Sequence, residues 1–301
     1  MNLNSIRNLL RISQPLLLLD AALVYTLGAG IAHYLGAYIN AGIYALGLAW
    51  VLSLQLSAHY LYAYFAHGVS AGAHKQDLHP DGDEIDARLS KELPLWVGIT
   101  ALALTSSFTL LLIRSGAAAG GTYIVMSLIA LGAFASALPP LRLADTVYRG
   151  LIPSILLANF VPALAFMLQG EELHRLVSMS TFPLTLLHYA MLLVFEFQYY
   201  AQDLKYERPM LLIRLGWQRG MSLINLLVLS TFLLLGIAML IGLPNDIALP
   251  TFLALPLGLF LIWYLTRIAA GAKPHWGALK ITAILVYGLT VYLLSFSFWT
   301  H

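Results

Sequence analysis

Two polar stripes cross otherwise apolar runs of the chain. Between residues 41 and 66, Gln55, His59 and Tyr62 recur at helical spacing, continuing through Ala66 toward Ser70. Near residues 178–203, His188, Glu196, Tyr199 and Asp203 form a second stripe. Taken singly, His59 and His188 fit interhelical hydrogen bonds of about 1 kcal/mol each. Taken together, the stripes point to a polar-headed cavity between two helices, because ionisable groups at membrane depth are costly and mark binding or transport sites. Asp20 fits a local cap or interhelical bond, and Asn159 and Asn225 fit helix-to-helix contacts. A further polar group, His74, Asp77, His79, Asp81, Asp83, Glu84 and Asp86, fills a connection at 67–93. Its oxygens suit a hard cation such as Mg²⁺, yet the spacing matches no EF-hand, and no zinc set of His and Cys occurs. A solvated loop capping the next helix from about Asp86 is the plain alternative.

The elements that must position these residues follow from composition. Of 301 residues, 60% are hydrophobic and 10% charged, and the mean hydropathy is +0.80. A soluble domain carries about 25% charged residues, so an ordinary soluble enzyme is excluded, as is a disordered chain. A net charge of +2 with scattered basic residues gives nucleic acid no footprint. The absence of cysteine excludes disulfides, thiol nucleophiles and iron–sulfur ligation. Nine segments reach spanning length, near 15–37, 41–66, 94–113, 118–138, 150–169, 178–200, 220–243, 247–266 and 278–299. The first follows Arg7 and Arg11 but runs past Gly30, as an uncleaved first helix would and a signal peptide would not. The expected fold is all-α: one membrane domain over 1–301, a bundle of nine helices with cytosolic loops at 67–93 and 201–219. Of the 16 Lys and Arg residues, only Arg114 and Arg175 fall on the outer side of this parse. That asymmetry places the N-terminus inside. The two long inner connections follow the second and sixth segments, a spacing that hints at a four-helix repeat.

Several short runs then carry a resemblance. Leu10-Arg11-Ile12-Ser13-Gln14-Pro15 precedes the first segment; Ser136-Ala137-Leu138-Pro139-Pro140-Leu141-Arg142 leads to Tyr148-Arg149-Gly150; Leu211-Leu212-Ile213-Arg214-Leu215-Gly216 enters the seventh. In this order and spacing they resemble the UbiA-type intramembrane prenyltransferases over some nine-tenths of the chain. The resemblance implies a helical bundle around a lipid-accessible cavity. There a polyprenyl diphosphate would pass its prenyl group to an aromatic, quinone-precursor-like or other lipid acceptor. It also implies Mg²⁺ held by aspartate motifs that end the second and sixth helices. In this chain Ala63, Ala66 and Ser70 occupy the first motif's aspartate positions, and Tyr199 and Asp203 occupy the second's.

On this footing Asp203 and Tyr199 are the expected catalytic residues, with Asp203 and Glu207 as metal ligands. Arg142, Arg149, Lys205 and Arg208 would contact the diphosphate, and His59, Tyr62, Glu196 and Tyr199 would line the acceptor pocket. A location in the plasma membrane of a prokaryote is expected. The alternative is a catalytically inactive isoprenoid-binding homologue or partner subunit. A secondary transporter would need a pair of broken helices around a midplane site, and no clear pair is visible.

Overall fold

The computed structural model describes residues 9–70, 92–170 and 172–301, the side chains of 67–70 excepted. The acidic run at 74–86 lies outside the described residues. Eight helices are long and apolar enough to cross a membrane, and a ninth, shorter apolar helix accompanies them. In chain order they are α1 (Pro15–Tyr34), α2 (Ala41–Ser70), α3 (Leu93–Arg114), α4 (Gly120–Ala137), α5 (Leu151–Met167) and α6 (Arg175–Phe197). Then come two short helices, α7 (Tyr200–Lys205) and α8 (Leu211–Leu215). Three long ones follow: α9 (Trp217–Leu240), α10 (Asn245–Ala269) and α11 (Trp276–Thr300). The described residues contain no strand. Only such a helical bundle, or a closed barrel, satisfies every backbone group in lipid. The protein is a polytopic membrane helix bundle.

Burial separates centre from rim. In α6, 67% of the apolar window is buried inside the protein, against 22% in α3 and α4. The fully buried side chains come chiefly from the central helices, including Tyr25 and Leu27 of α1, Phe166 of α5, Leu184 of α6 and Phe298 of α11. Helix α1 packs against α11 and α5, α6 against α9 and α11, and α2 against α3 and α4. Lipid is as apolar as leucine, so close packing rather than water exclusion must hold such helices together. Gly28 shows how close the approach is: a Cβ there would fall on the carbonyl of Pro162 in α5.

Prolines lie inside two of the central helices, with different consequences. Helix α5 contains a π-helical turn over Leu156–Phe160, immediately before Pro162, which has no N–H for the preceding turn. That irregularity accounts for its shorter regular segments beside the sequence expectation of a span over 150–169. Pro183 lies inside α6, and its carbonyl accepts a hydrogen bond from Thr231 Oγ1 of α9 at 3.2 Å. Helix α6 stops at Phe197, three residues short of the expected end, and α7 starts in a new direction after Tyr199. Beyond it, Glu207 takes a left-handed conformation (φ 50°), which turns the chain back.

Candidate active site

A cavity of about 610 Å³ lies between the segment preceding α1, helices α2, α4 and α5, and the ends of α6, α7 and α11. Its deep wall is apolar, formed by Val51, Leu54, Ala133, Leu156, Leu157 and Leu192. Its mouth is polar: Arg11, Gln55, His59, Tyr62, Arg149, Glu196, Tyr199, Asp203 and Lys280 line it. The α2 stripe therefore faces the cavity as its spacing predicts. His59 Nδ1 lies 3.1 Å from the carbonyl of Ser13, and Gln55 donates to the carbonyl of Leu17 at 3.3 Å. Both contacts tie α2 to the chain entering α1 and fix the angle at which these side chains meet the cavity.

The α6 stripe divides. Glu196, Tyr199 and Asp203 reach the mouth, whereas His188 does not line it and is fully buried between helices. Eight residues of helix turn through about 800°, so His188 stands roughly 80° away from Glu196. It meets Asp20 of α1 instead, with Nε2 3.0 Å from Oδ2. That contact is close but not aligned as a hydrogen bond, and both Asp20 oxygens lack an aligned donor. On its other side His188 Nδ1 lies 2.9 Å from Ser154 Oγ of α5, and the Tyr287 ring of α11 packs edge-on at 5.0 Å.

At the mouth the carboxylates are already engaged. Asp203 is buried, with Oδ1 accepting from Arg208 Nη1 at 3.0 Å. The turn at Glu207 brings Arg208 back, and its backbone N–H donates to the Asp203 carbonyl at 3.0 Å. Burial pushes the Asp203 carboxyl up from the usual carboxylate range, against the opposing fields of Arg208 and Arg149. Arg142 pairs with Asp145 at 2.8 Å, and the other Asp145 oxygen accepts from the Tyr62 hydroxyl at 2.7 Å. Arg142 and Arg208 thus approach the site through carboxylates and do not line the cavity. Lys205 and Glu207 are exposed and also lie off the lining, so Glu207 does not stand beside Asp203 as a second metal ligand.

Mg²⁺ needs oxygen ligands, commonly one or two carboxylates beside phosphate. Among the described residues no three His, Cys, Asp or Glu converge on a point. Ala66 lines the cavity, Ala63 packs with Ile12 and Tyr60, and the one carboxylate of the second motif is arginine-paired. The described residues therefore do not fit the metal arrangement that the resemblance implies. Three contributors escape sequence reading as site residues. Asp145 is signalled only by its i,i+3 spacing from Arg142. Lys280 is one of few charges in an apolar run, with Nζ 5.6 Å from the Tyr199 ring centroid and 5.8 Å from that of Phe195. Arg11 appears in the sequence only as part of the entry run.

The backbone decides the kinship of the architecture. A UbiA homologue from Archaeoglobus fulgidus bound to GPP and Mg²⁺ superposes with a TM-score of 0.60 at 16% identity, covering 96% of this chain and 99% of its own. This is the UbiA fold. A UbiA homologue from Aeropyrum pernix K1 in its apo form gives 0.62 at 13% identity, with 93% and 94% covered. The structure of a digeranylgeranylglyceryl phosphate synthase gives 0.67 at 12% identity, with 99% of each chain covered. No family model matches the sequence, and no curated protein matches it. The fold is thus shared with these proteins at 12–16% sequence identity.

Proposed function

We propose that the chain is a UbiA-type intramembrane prenyltransferase, acting on a polyprenyl diphosphate and an aromatic or other lipid acceptor. The observation that carries this proposal is the two-part cavity: an apolar wall for an isoprenoid chain, continuous with a cationic mouth for its anionic head. In the reaction the C1–O bond of the prenyl diphosphate breaks, and the diphosphate leaves with the electron pair. The acceptor's electron pair forms the new bond to C1, and the acceptor's proton passes to the departing diphosphate. Fixed positive charge aimed at the departing oxygens lowers the barrier. Arg149 supplies it at the lining, while Arg208 and Arg142 offset the charges of Asp203 and Asp145. Asp203 positions Arg208; Tyr199, Glu196, His59 and Tyr62 form the polar rim against which the acceptor is held.

Incubating the purified protein with labelled prenyl diphosphates and a panel of aromatic and lipid acceptors, with and without Mg²⁺, tests the assignment. Prenylated product is the expected result, and its absence across the panel, with no diphosphate release, would refute catalysis. A second reading is favoured by one observation, the alanines at 63 and 66 together with an arginine-paired Asp203. In that reading the protein binds isoprenoid lipids without turnover. Saturable binding of a prenyl diphosphate with no product would select it.

A further inference from the structure

The apolar end of the cavity has a floor. Along each helix away from the polar mouth, the last lining residues are Val51 of α2, Ile129 of α4 and Val161 of α5. They are only 3%, 4% and 1% exposed, so they stand where the cavity closes. One turn further on, the bundle is close-packed. Gly47, four residues beyond Val51, has no space for a Cβ, which would meet the Tyr25 hydroxyl and a Leu168 methyl. Met126 of α4 and Leu164 of α5 lie in the core at the same depth. Eleven residues separate Tyr62 from Val51, and eleven separate Gly150 from Val161. At 1.5 Å per residue the cavity is therefore roughly 16 Å deep. The π turn of α5 decides which side chain closes it. In an uninterrupted α-helix Phe160, seven residues past Pro153, would return to the Pro153 face, because seven residues turn through about 700°. The π turn over Leu156–Phe160 takes up one extra residue. Val161 consequently arrives in that place: it lines the cavity, as Pro153 does, and Phe160 does not.

We infer that this cavity gauges the isoprenoid tail, admitting at most three isoprene units, and that the π turn sets the limit by placing Val161 instead of Phe160 on the floor. The inference rests on the prenyl-diphosphate reading made above and narrows the donors it allows. An isoprene unit adds four carbon–carbon bonds of about 1.5 Å along its chain, an advance of roughly 5 Å when extended. Three units thus reach from mouth to floor, and a fourth meets the packed turn beyond Val51 and Val161. Lipid is as apolar as the cavity wall, so a tail gains little by leaving the bilayer, and fit decides which tail stays.

The experiment is competition binding to the purified full chain in nanodiscs with Mg²⁺ present. Dimethylallyl, geranyl, farnesyl and geranylgeranyl diphosphates compete against labelled geranyl diphosphate. Geranylgeranyl diphosphate is expected to bind at least about tenfold more weakly than farnesyl diphosphate. Val161→Phe should weaken farnesyl diphosphate roughly tenfold and leave dimethylallyl diphosphate within about threefold. Val161→Ala should narrow the gap between geranylgeranyl and farnesyl by about threefold or more, and it carries the test if the larger side chain prevents folding. Phe160→Ala, off the lining, should leave every ratio within about twofold. Size-exclusion profiles and helical circular dichroism establish that each variant folds. Equal affinities for farnesyl and geranylgeranyl diphosphates would overturn the limit while leaving the prenyl-diphosphate cavity intact. Ratios that move with Phe160→Ala and not with the Val161 variants would overturn the role of the π turn. No binding of any of the four by the folded wild-type protein would overturn the cavity assignment itself, and the inference with it.

Discussion

The buried contact between Asp20 and His188 permits a quantitative test of what holds the cavity walls in register. Ser154 Oγ donates its proton to the Gly150 carbonyl at 2.7 Å, so toward His188 it acts as acceptor and Nδ1 as donor. The Nε2–Oδ2 contact at 3.0 Å then brings the ring and the carboxyl together in the buried interior. Removing either partner takes from the other its close polar neighbour across the α1–α6 contact. One interhelical hydrogen bond in a membrane protein contributes about 0.6 kcal/mol on average. Orphaning one member of a buried ionisable pair costs about 3–5 kcal/mol in water-soluble proteins. His188→Leu keeps the volume but takes the close neighbour from Asp20, while Ser154 still donates to the Gly150 carbonyl, so its cost should lie between these limits, at about 2–4 kcal/mol. Asp20→Ala should cost a similar amount. The double variant removes both polar groups, and its cost should fall short of the sum of the singles by more than about 1 kcal/mol. Reversible unfolding in mixed micelles, with the three variants beside the wild type, measures the cycle. Additivity within about 0.5 kcal/mol would refute the coupling, and with it the account of α1, α5 and α6 as clamped through this pair.

Three further outcomes follow from other parts of the structure. Because burial raises the Asp203 carboxyl above its usual range, the folded protein holds that proton to a higher pH than the unfolded chain does. Stability should therefore fall as pH rises from the ordinary carboxylate range through the raised midpoint, and Asp203→Asn should abolish that slope in melting temperatures taken across the window. Gly28→Ala should destabilise by about 1–3 kcal/mol or more, since its Cβ meets the Pro162 backbone, whereas Gly236→Ala, with nothing within 4 Å, should be neutral or slightly stabilising by thermal size-exclusion assay. Ala133→Trp should fill the apolar wall and weaken binding of long-chain prenyl diphosphates more than of short ones, and equal loss for both would place the chain elsewhere.

Much of the architecture was legible because lipid leaves little choice. Apolar runs of spanning length must close their own hydrogen bonds, and the expected segments coincide with the helices to within a few residues at most ends. The α2 stripe was legible for the same reason, since one regular helix preserves its spacing from Gln55 to Tyr62. The α6 stripe failed at one end. His188 is rotated roughly 80° from Glu196, whereas Asp203 reaches the cavity across a helix break that spacing alone does not reveal. The partners of the acids were hidden differently. Tyr62 and Asp145 stand 83 positions apart, and nothing in either segment announces the other. Asp203 and Arg208 are near neighbours, but their contact depends on the left-handed turn at Glu207, which no glycine marks. Lys280 reads as an ordinary basic residue near a helix start until the fold carries it across to Phe195 and Tyr199.

The few ionisable groups inside this apolar bundle fall into two sets, and accessibility separates their roles. Asp20 and His188 are buried and off the cavity lining, so a ligand has no route to either. What they contribute is geometry, by joining α1 to α6 while Ser154 joins α6 to α5. Arg149, Asp203 and Lys280 stand at an open mouth where solvent and ligand can exchange. Were the interior pair the chemical site, the cavity would have to reach it, and the wall of Leu156, Leu157 and Leu192 intervenes as lining instead. Of the two sets, the one at the mouth is the one that lines the cavity, so a ligand held there would meet Arg149, Asp203 and Lys280 and not Asp20 or His188.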